Sequence, residues 1–179
     1  MRATGIIRRM DDLGRVVIPM ELRRTMHLRE GDPLEIYTDK EGGVIFKKYS
    51  LLGVSDFAQP MCDALTKSTG QITVITDRDA CVAVAGVVRR EMVSKRISTY
   101  LEKILESRKI YEFTQGDTPQ PVFENSDKYY IATAAPVVCD GEAVGCLLFV
   151  SDSTDIETGE ANYRLAQVTA EILSRQLEV

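Results

Sequence analysis

The chain has 179 residues, a formal net charge of -5 and a hydrophobic fraction of 44%. This length allows one large domain or two small ones, and the hydrophobic fraction is ordinary for a globular protein. No apolar run approaches the roughly 20 residues that a transmembrane helix needs, and the N-terminus lacks the apolar core of a signal peptide. The composition argues against a membrane-spanning protein, so we expect a cytoplasmic chain with no membrane partner.

The two parts of the chain on either side of residue 50 carry opposite charge. Residues 1–50 hold 10 Lys and Arg against 8 Asp and Glu, whereas residues 51–179 hold 12 against 19. Within residues 1–29 the count is seven Arg against three acids. Because the planar guanidinium of Arg binds phosphate oxygens and base edges, this local excess predicts a polyanionic partner. The division predicts a domain at 1–50, a linker at 51–55 and a domain at 56–179.

The first 50 residues combine short strand-like runs with one short helix. The runs, separated by turn signals, are GIIRRM, RVVI, PLEIY and VIFKK. Pro19 fixes a helical φ at a first-turn position, so the sequence predicts a helix of about two turns over MELRRTMHL. The apolar side chains are too few for this segment to form a core of its own. We therefore expect it to require a second copy of itself, as an obligate dimer.

Residues 51–179 predict a mixed α/β domain, in which an antiparallel sheet is flanked by helices. The predicted elements are a helix at about 56–68, a hairpin of ITVIT and CVAVAGV, a helix at about 90–109, a strand with a long loop at 111–128, a hairpin of YYIATAAPVV and AVGCLLFV, and a helix at about 159–177. The long loop is rich in turn-forming residues, so we expect it to be mobile. Together the two domains give an α+β fold class.

The last helix has two apolar stripes. Ala161, Leu165, Val168 and Ile172 form one stripe, and Ala166, Ala170, Leu173 and Leu177 form the other. A sheet covers only one of them, so we expect the second to pack on another helix, either the one at 56–68 or a copy in a partner subunit. A broad single face covered within one chain is the alternative. The candidate oligomerisation residues are Phe57, Met61, Leu65, Leu165, Val168, Ile172 and Leu173.

Five arginines of the first domain are the candidate DNA-binding residues. They are Arg8, Arg9, Arg15, Arg23 and Arg24. In a dimer each of them occurs twice, which gives a two-fold-symmetric basic surface suited to a roughly palindromic duplex. The alternative is that they are solvated surface charges. In that case they would pair with Asp11, Asp12 and Glu21.

The cysteines and the single histidine do not indicate a metal or catalytic site. Cys62, Cys81, Cys139 and Cys146 have no CxxC spacing, and three of them lie in apolar strand-like runs. We therefore expect reduced thiols in a core. His27 has no second histidine with which to form a zinc site or a catalytic dyad. No metal, catalytic residue or cofactor is predicted.

The first domain resembles the AbrB family of bacterial transition-state regulators. The resemblance lies in TGIIRRMDDLGRVVIPMELRR and GDPLEIYTDKEGGVIFKKY, and covers nearly all of residues 3–50. It implies a swapped-hairpin dimer, in which two chains interleave their strands into one small barrel. It also implies DNA contacts by Arg8, Arg15, Arg23 and Arg24, with Arg9 where a basic residue is usual.

The remainder is similar to a GAF domain in the order of its helices and strands. An AbrB-type head joined to a GAF-like domain is similar to the architecture of a family of sporulation regulators in spore-forming bacteria. That resemblance implies a transcriptional regulator that binds double-stranded DNA, activates and represses genes in the developing forespore, and assembles as a tetramer through the terminal helices of the GAF-like domain.

GAF domains often bind small molecules between the sheet and the helix and loop that cover it. The resemblance places a possible pocket for an unidentified effector at Val84, Ile97, Leu101, Phe113, Ile131 and Thr133. The apolar members are equally suited to a filled core. No cysteine lies between residues 90 and 128, and the domain has no histidine, so the pieces that bind tetrapyrroles or cyclic nucleotides in some GAF proteins are not recognisable.

Two other functions remain open from the sequence. Some GAF-fold proteins are thiol enzymes that reduce methionine sulfoxide, and the four cysteines keep this alternative in view. AbrB-like heads also occur in antitoxins. Those usually carry a short disordered toxin-binding tail, where this sequence predicts an ordered domain.

Overall fold

The structure, a computed structural model, describes residues 4–50, 52–53 and 56–177. Contacts divide the chain between Tyr49 and Ser50 into two compact units, here called the head and the body. Most of the predicted linker at 51–55 lies outside the described residues. Leu52 is an exception, because its side chain is 1% exposed and packs in the core of the body.

The ordered elements of the head are one short helix and one hairpin. Helix α1 spans Met20–Thr25, and strands β1 (Leu34–Thr38) and β2 (Val44–Lys48) pair antiparallel with Ile36 opposite Phe46. The carboxylate of Asp39 accepts hydrogen bonds from the backbone N–H groups of Glu41 and Gly43, at 3.0 and 2.6 Å, and so holds the hairpin turn.

The strands predicted at GIIRRM and RVVI do not form within one chain. A turn joins the two runs, in which the backbone N–H of Asp11 donates to the Arg15 oxygen at 3.0 Å and that of Gly14 to the Asp11 oxygen at 3.1 Å. In the described part of the chain, no strand pairs with residues 5–10 or 15–18. A β-strand needs a neighbouring strand to complete its hydrogen bonds, and alternation in the sequence does not supply one.

The single histidine of the chain has a structural role at the end of α1. His27 has a φ of 53°. Its N–H donates to the Arg24 oxygen at 3.2 Å, and the N–H of Leu28 donates to the Arg23 oxygen at 2.8 Å. These two bonds form a Schellman motif, which satisfies carbonyls at a helix C-terminus. His27 therefore ends the helix, and α1 is shorter than the predicted two turns.

One copy of the head leaves its apolar side chains exposed. Pro19 is the only buried residue among residues 4–49. The exposed large hydrophobic residues of the head are Ile6, Ile7, Met10, Leu13, Val16, Val17, Met20, Met26, Ile36, Tyr37, Val44 and Phe46. Apolar side chains stabilise a fold only when they leave water, by about 25 cal/mol for each Å² buried. The head of a single chain therefore has no core of its own.

The body is a five-stranded antiparallel sheet between two layers of helix and loop. Its elements are α2 (Ala58–Thr69), β3 (Ile72–Asp77), β4 (Cys81–Ala85), a 3₁₀ turn (Arg89–Glu91), α3 (Thr99–Ser107), β5 (Tyr111–Glu112), β6 (Tyr130–Cys139), β7 (Glu142–Ser151) and α4 (Glu160–Leu177). The strand order is β4-β3-β7-β6-β5.

Alternating residues of the sheet contribute to two separate cores. On one face α2 and α4 pack against side chains such as Leu147 and Phe149. On the other face α3 and the segment that precedes β6 pack against side chains such as Cys146 and Leu148. Because both faces are covered, β7 reads as a continuous apolar run, as central strands do.

The helix predicted at 90–109 is shorter than expected. Ser94 has a φ of 66°, and the following residues run beside the β3–β4 turn, where the Cys81 N–H donates to the Lys95 oxygen and the Ile97 N–H to the Asp79 oxygen. Ser98 then caps α3, because its hydroxyl accepts the Leu101 N–H at 3.2 Å. Val93 and Ile97 both precede α3, so the helical spacing between them does not reflect a helix.

The loop predicted to be mobile is held at its centre. The Ser98 N–H donates to the Val122 oxygen at 2.9 Å, and the Glu124 N–H donates to the Arg96 oxygen at 3.1 Å. Val122 and Phe123 are fully buried. Turn-forming residues indicated an irregular segment, but its two apolar side chains anchor it over the sheet.

The packing around Gly145 yields a stability prediction. A Cβ there would overlap the carbonyl oxygen of Thr76 and Cδ1 of Leu52. Gly145→Ala should therefore destabilise the body by about 2 to 3 kcal/mol. Gly159→Ala is the control, because no described atom beyond its own chain neighbours lies within 4 Å of its Cβ position. Urea unfolding followed by tyrosine fluorescence measures both, and equal midpoints would contradict the close packing.

Candidate nucleic-acid interface

The five candidate arginines lie on two parts of the head. Arg8 and Arg9 precede the turn at residues 11–15, Arg15 follows it, and Arg23 and Arg24 occupy the last turn of α1. All are exposed except Arg23, which is half-buried. They are therefore carried by a turn and a short helix, which are elements with little apolar support inside a single chain.

Among the described residues, Arg15 is the one candidate that pairs with a carboxylate. Its Nε lies 2.8 Å from Oδ2 of Asp11, and its backbone N–H donates to Oδ1 of the same residue at 2.8 Å. The N–H of Leu13 donates to that oxygen as well, at 3.0 Å. Hydrogen bonds from the backbone and side chain of Arg15 lower the pKa of Asp11. Asp11 thus builds the turn that carries the arginines.

The other four arginines have no carboxylate partner in the part of the chain that the structure describes. Within residues 4–50, 52–53 and 56–177, no carboxylate forms an ion pair with them. Nε of Arg23 is buried without a hydrogen-bond partner there. Pairing with Asp11, Asp12 and Glu21, the alternative from the sequence, therefore holds only between Arg15 and Asp11. Four guanidinium groups of the head are available to an anion.

Other charges of the head serve its own framework. The side chain of Asp32 is 2% exposed, accepts the Arg29 N–H at 2.7 Å and lies 3.0 Å from Nζ of Lys48. Lys48 also donates to the His27 oxygen at 3.2 Å, which ties β2 to the end of α1. The sequence analysis did not single out Lys47, whose Nζ lies 4.7 Å from the centre of the Tyr37 ring. The feature of the sequence that could have drawn attention to Lys47 is the pair of adjacent lysines at the end of β2.

The six predicted pocket residues do not line one space. Each is at most 5% exposed. Val84, Ile97, Leu101 and Ile131 pack in the core under α3, where Val122 and Phe123 fill the space beside them. Phe113 packs instead with Ala132 and Ile156.

Thr133 faces the opposite side of the sheet. It pairs with Phe149, which belongs to the core under α2 and α4. Directly opposed residues share a face, so Thr133 points away from Ile131. The cause is a bulge between Ile131 and Thr133, which breaks the alternation that the sequence prediction assumed.

The body also has an open polar groove of about 470 Å³ at the start of α3. It is lined by Ser98, Thr99, Pro121, Phe123, Glu124, Asn125, Ser126 and Asp127. None of these residues belongs to the predicted pocket.

The two stripes of α4 have different environments. Ala166, Ala170 and Leu173 pack on the sheet. Val168 and Ile172, on the other stripe, are 54% and 44% exposed, and Leu165 is half-buried. Leu65 and Leu173 therefore lie in the core of their own chain, whereas Phe57 and Met61 are half-buried at its margin.

The thiols of the body lie in apolar surroundings. All four cysteines are free and buried. Burial raises the pKa of Cys81 to about 12 and raises the pKa of Cys62 and of Cys146 even more. Among the described residues, no group of three His, Cys, Asp or Glu could hold a metal ion. In that same part of the chain, no helix has the length and apolar character to cross a membrane.

Two family models match the chain. One, described as stage V sporulation protein T C-terminal, transcription factor, matches residues 53–178. The chain belongs to the stage V sporulation protein T family. The second, described as antidote-toxin recognition MazE, bacterial antitoxin, matches residues 7–50. The family match spans most of the body and more than half of the chain.

Curated relatives confirm the resemblance of the whole chain to sporulation regulators and the resemblance of the head to AbrB. Stage V sporulation protein T of Bacillus subtilis is 41% identical over 179 residues, which is 99% of each chain. The transition state regulatory protein AbrB of Bacillus subtilis is 61% identical over 49 residues, which is 27% of this chain and 50% of that protein. The first relative is therefore similar over the whole chain and the second over the head.

Solved structures show the fold of the body. The GAF domain of an Acinetobacter phosphoenolpyruvate-protein phosphotransferase is 12% identical, with a TM-score of 0.54, over 73% of this chain and 84% of that one. A free methionine-R-sulfoxide reductase of Thermoplasma acidophilum is 13% identical, with a TM-score of 0.50, over 66% and 88%. At such identities the likeness concerns the GAF fold alone.

The buried thiols yield a prediction about reactivity. Because the thiolate is the nucleophile, and burial disfavours it at Cys62, Cys81 and Cys146, a disulfide reagent at about pH 8 should modify the native protein slowly. All four cysteines should react once urea unfolds the chain, and free glutathione serves as the control. Rapid modification of two cysteines in the native protein would instead support a thiol enzyme.

Proposed function

We propose that this family member is a DNA-binding regulator that activates and represses sporulation genes in the cytoplasm of the developing forespore. The observation that carries the proposal is a set of four arginines on the head of an acidic chain, none of which has a carboxylate partner among the described residues. Membership of a family described as transcription factors supports it, as does the similarity of the head to a transition state regulator.

The head functions in this proposal as an interleaved dimer. Twelve large hydrophobic side chains are exposed in one copy, and Pro19 is the sole buried residue of the described head. The segments around Ile7 and Val17 lack strand partners in their own chain. A second copy would supply both the missing strands and the apolar cover, which is the swapped-hairpin arrangement expected from the AbrB resemblance.

Dimerisation would also create the DNA-binding surface. Two copies bring together two sets of Arg8, Arg9, Arg15, Arg23 and Arg24. Two-fold symmetry of the protein suits a roughly palindromic duplex. Arginine can bind phosphate oxygens and the O6 and N7 atoms of guanine, so the same side chains serve affinity and sequence selection.

The body is proposed to join two such dimers into a tetramer through α4. Val168 and Ile172 of its outer stripe are exposed in one chain, and Leu165 of the same stripe is half-buried at the margin of the core. Phe57 and Met61 lie at the margin of the same core. Leu65 and Leu173 are omitted from the proposed interface, since they are already buried.

An effector site at the predicted pocket has less support than assembly. A small molecule at Val84, Ile97 and Leu101 would have to displace Val122 and Phe123, which fill that side of the sheet. We therefore assign assembly to the body as its primary role, and an effector at the predicted pocket would have to open this core.

The two alternative functions have weaker support. The raised pKa of Cys62, Cys81 and Cys146 disfavours a methionine sulfoxide reductase, which needs reactive thiolates. The head matches an antitoxin family model, but the body matches the sporulation family and has an ordered sheet and helices. A toxin-binding tail is therefore not proposed.

Salt dependence tests DNA binding. If four arginines of each chain meet phosphates, a dimer makes about eight contacts, and the slope of log K against log salt should be near -7. Arg24→Ala should make the slope shallower by about 2 and leave the dimer intact. Arg164→Ala, which removes an exposed charge paired with Glu160, is the control. A wild-type slope shallower than about -2 would contradict the proposal.

Sedimentation velocity tests the proposed tetramer. Val168→Glu places a charge on the outer stripe of α4 and should convert tetramers into dimers, because burial of an unpaired carboxylate is costly. The melting temperature of the body should change little, since Val168 is exposed in its own chain. Gln167→Glu adds the same charge at an exposed neighbour and should leave the tetramer intact. A tetrameric Val168→Glu protein would exclude this interface.

A further inference from the structure

The body has its own local excess of positive charge. Residues 86–96 hold four Lys and Arg and one Glu, although residues 51–179 hold 12 basic against 19 acidic side chains. Arg89, Arg90 and Lys95 are exposed there, between β4 and α3, and are here called the basic turn. The sequence analysis placed this segment in a helix and gave it no function.

The arginines of the basic turn differ from most others in the body, because no carboxylate of the described residues forms an ion pair with them. Arg96 pairs with Glu102 and Glu124, Arg108 with Glu142, Arg164 with Glu160 and Arg175 with Glu171, at N–O distances of 3.2 to 3.6 Å for the first three and 2.6 Å for the last. Throughout the described residues, no carboxylate forms an ion pair with Arg89, Arg90 or Lys95. Lys95 interacts electrostatically with Glu91, so Arg89 and Arg90 are the charges of this segment that no carboxylate of the described residues compensates.

The one acidic residue of this segment, Glu91, binds side chains outside the segment. Oε2 of Glu91 accepts hydrogen bonds from Nζ of Lys128 and, at 2.6 Å, from the hydroxyl of Tyr129. The bond from Lys128 is the largest cause of the lowered pKa of Glu91, so this carboxylate is ionised and already compensated. Its bonds hold the 3₁₀ turn against the start of β6. The Glu91 carboxylate forms no ion pair with Arg89 or Arg90.

The position of Arg89 is set by the edge of the sheet. Nε2 of Gln59 donates to the Val84 oxygen at 2.9 Å, and so covers the outer edge of β4. Nε2 of Gln59 also donates to Asp63 at 3.0 Å, while its Oε1 accepts Nη1 of Arg89 at 3.5 Å. Arg89 is thus held by a neutral amide, which fixes the guanidinium without neutralising it.

We propose that the basic turn is a second phosphate-binding surface, through which the body contacts duplex DNA. This inference rests on the proposed DNA binding by the head. An acidic body repels a phosphate backbone within a Debye length of about 8 Å, so DNA can pass close to it only where unpaired cations face the backbone. Arg89 and Arg90 provide planar forks for phosphate oxygens, as Arg23 and Arg24 do on α1.

A pair of double variants of the full chain tests this surface. Arg89→Ala with Arg90→Ala removes the proposed contacts, and Arg108→Ala with Arg164→Ala removes the same charge from ion-paired positions. The probe is a mixed-sequence duplex of about 60 base pairs, because phosphate contacts do not depend on sequence. The first variant should make the salt slope shallower by about 3 to 4 for a dimer, and the second by less than about 1.

Conservative variants and the head variant complete the test. Arg89→Lys with Arg90→Lys should retain the slope, since the charges remain, and this shows that loss in the alanine variant is not a loss of fold. Equal slopes for the wild type and the alanine variant would overturn the proposal, and so would an equal loss in the Arg108 and Arg164 control. If the proposed function itself were wrong, Arg24→Ala would also leave the slope unchanged.

Discussion

The rest of the structure depends on the inability of the head to bury its apolar side chains within one chain. Only Pro19 is buried among residues 4–49, and twelve large hydrophobic side chains meet solvent in a single copy. Hydrophobic burial is the dominant favourable contribution to folding, so a unit of this size without a core needs a partner. In the proposed dimer, folding of the head and formation of a two-fold basic surface are one event.

Among the described residues, the acids of the chain leave four of the five proposed DNA-binding arginines without an ion pair, and only Arg15 pairs with a carboxylate, that of Asp11. Asp11 and Asp32 bind backbone N–H groups and a neighbouring cation, and so build the turn and the hairpin of the head. Arg8, Arg9, Arg23 and Arg24 have no such partner in the described chain. The acidic excess lies in the body, where ion pairs compensate most arginines and leave the basic turn as the exception.

The body differs from the head because it completes its core in one chain. Both faces of its sheet are covered, one by α2 and α4 and the other by α3 and the anchored loop. One apolar surface of α4, at Val168 and Ile172, stays exposed to solvent in a single chain. A stable unit with one unpartnered apolar stripe is suited to hold dimers together, which is the role proposed for it.

The periodicity of apolar residues and the family motifs were sufficient to predict most of the helices, the hairpins of the body and the two domain families. The helices predicted at about 56–68 and 159–177 match α2 and α4 closely, because each has a continuous apolar stripe and, for α2, a glycine at its end. The two hairpins of the body were also predicted, from apolar runs joined by polar turns. The AbrB and GAF resemblances identified both domains, and the candidate arginines came from local charge alone.

Features that depend on neighbours distant in sequence required the tertiary structure. The bulge after Ile131 turns Thr133 to the opposite face, the β3–β4 turn draws residues 95–97 out of a helix, and Phe123 fills the expected pocket. The sequence by itself determined the charge of each part and the two stripes of α4, because these follow from composition and spacing, and its family resemblances identified the domain types. Only the tertiary structure decided which arginines are paired and which apolar faces are covered, because both depend on atoms that meet only after folding.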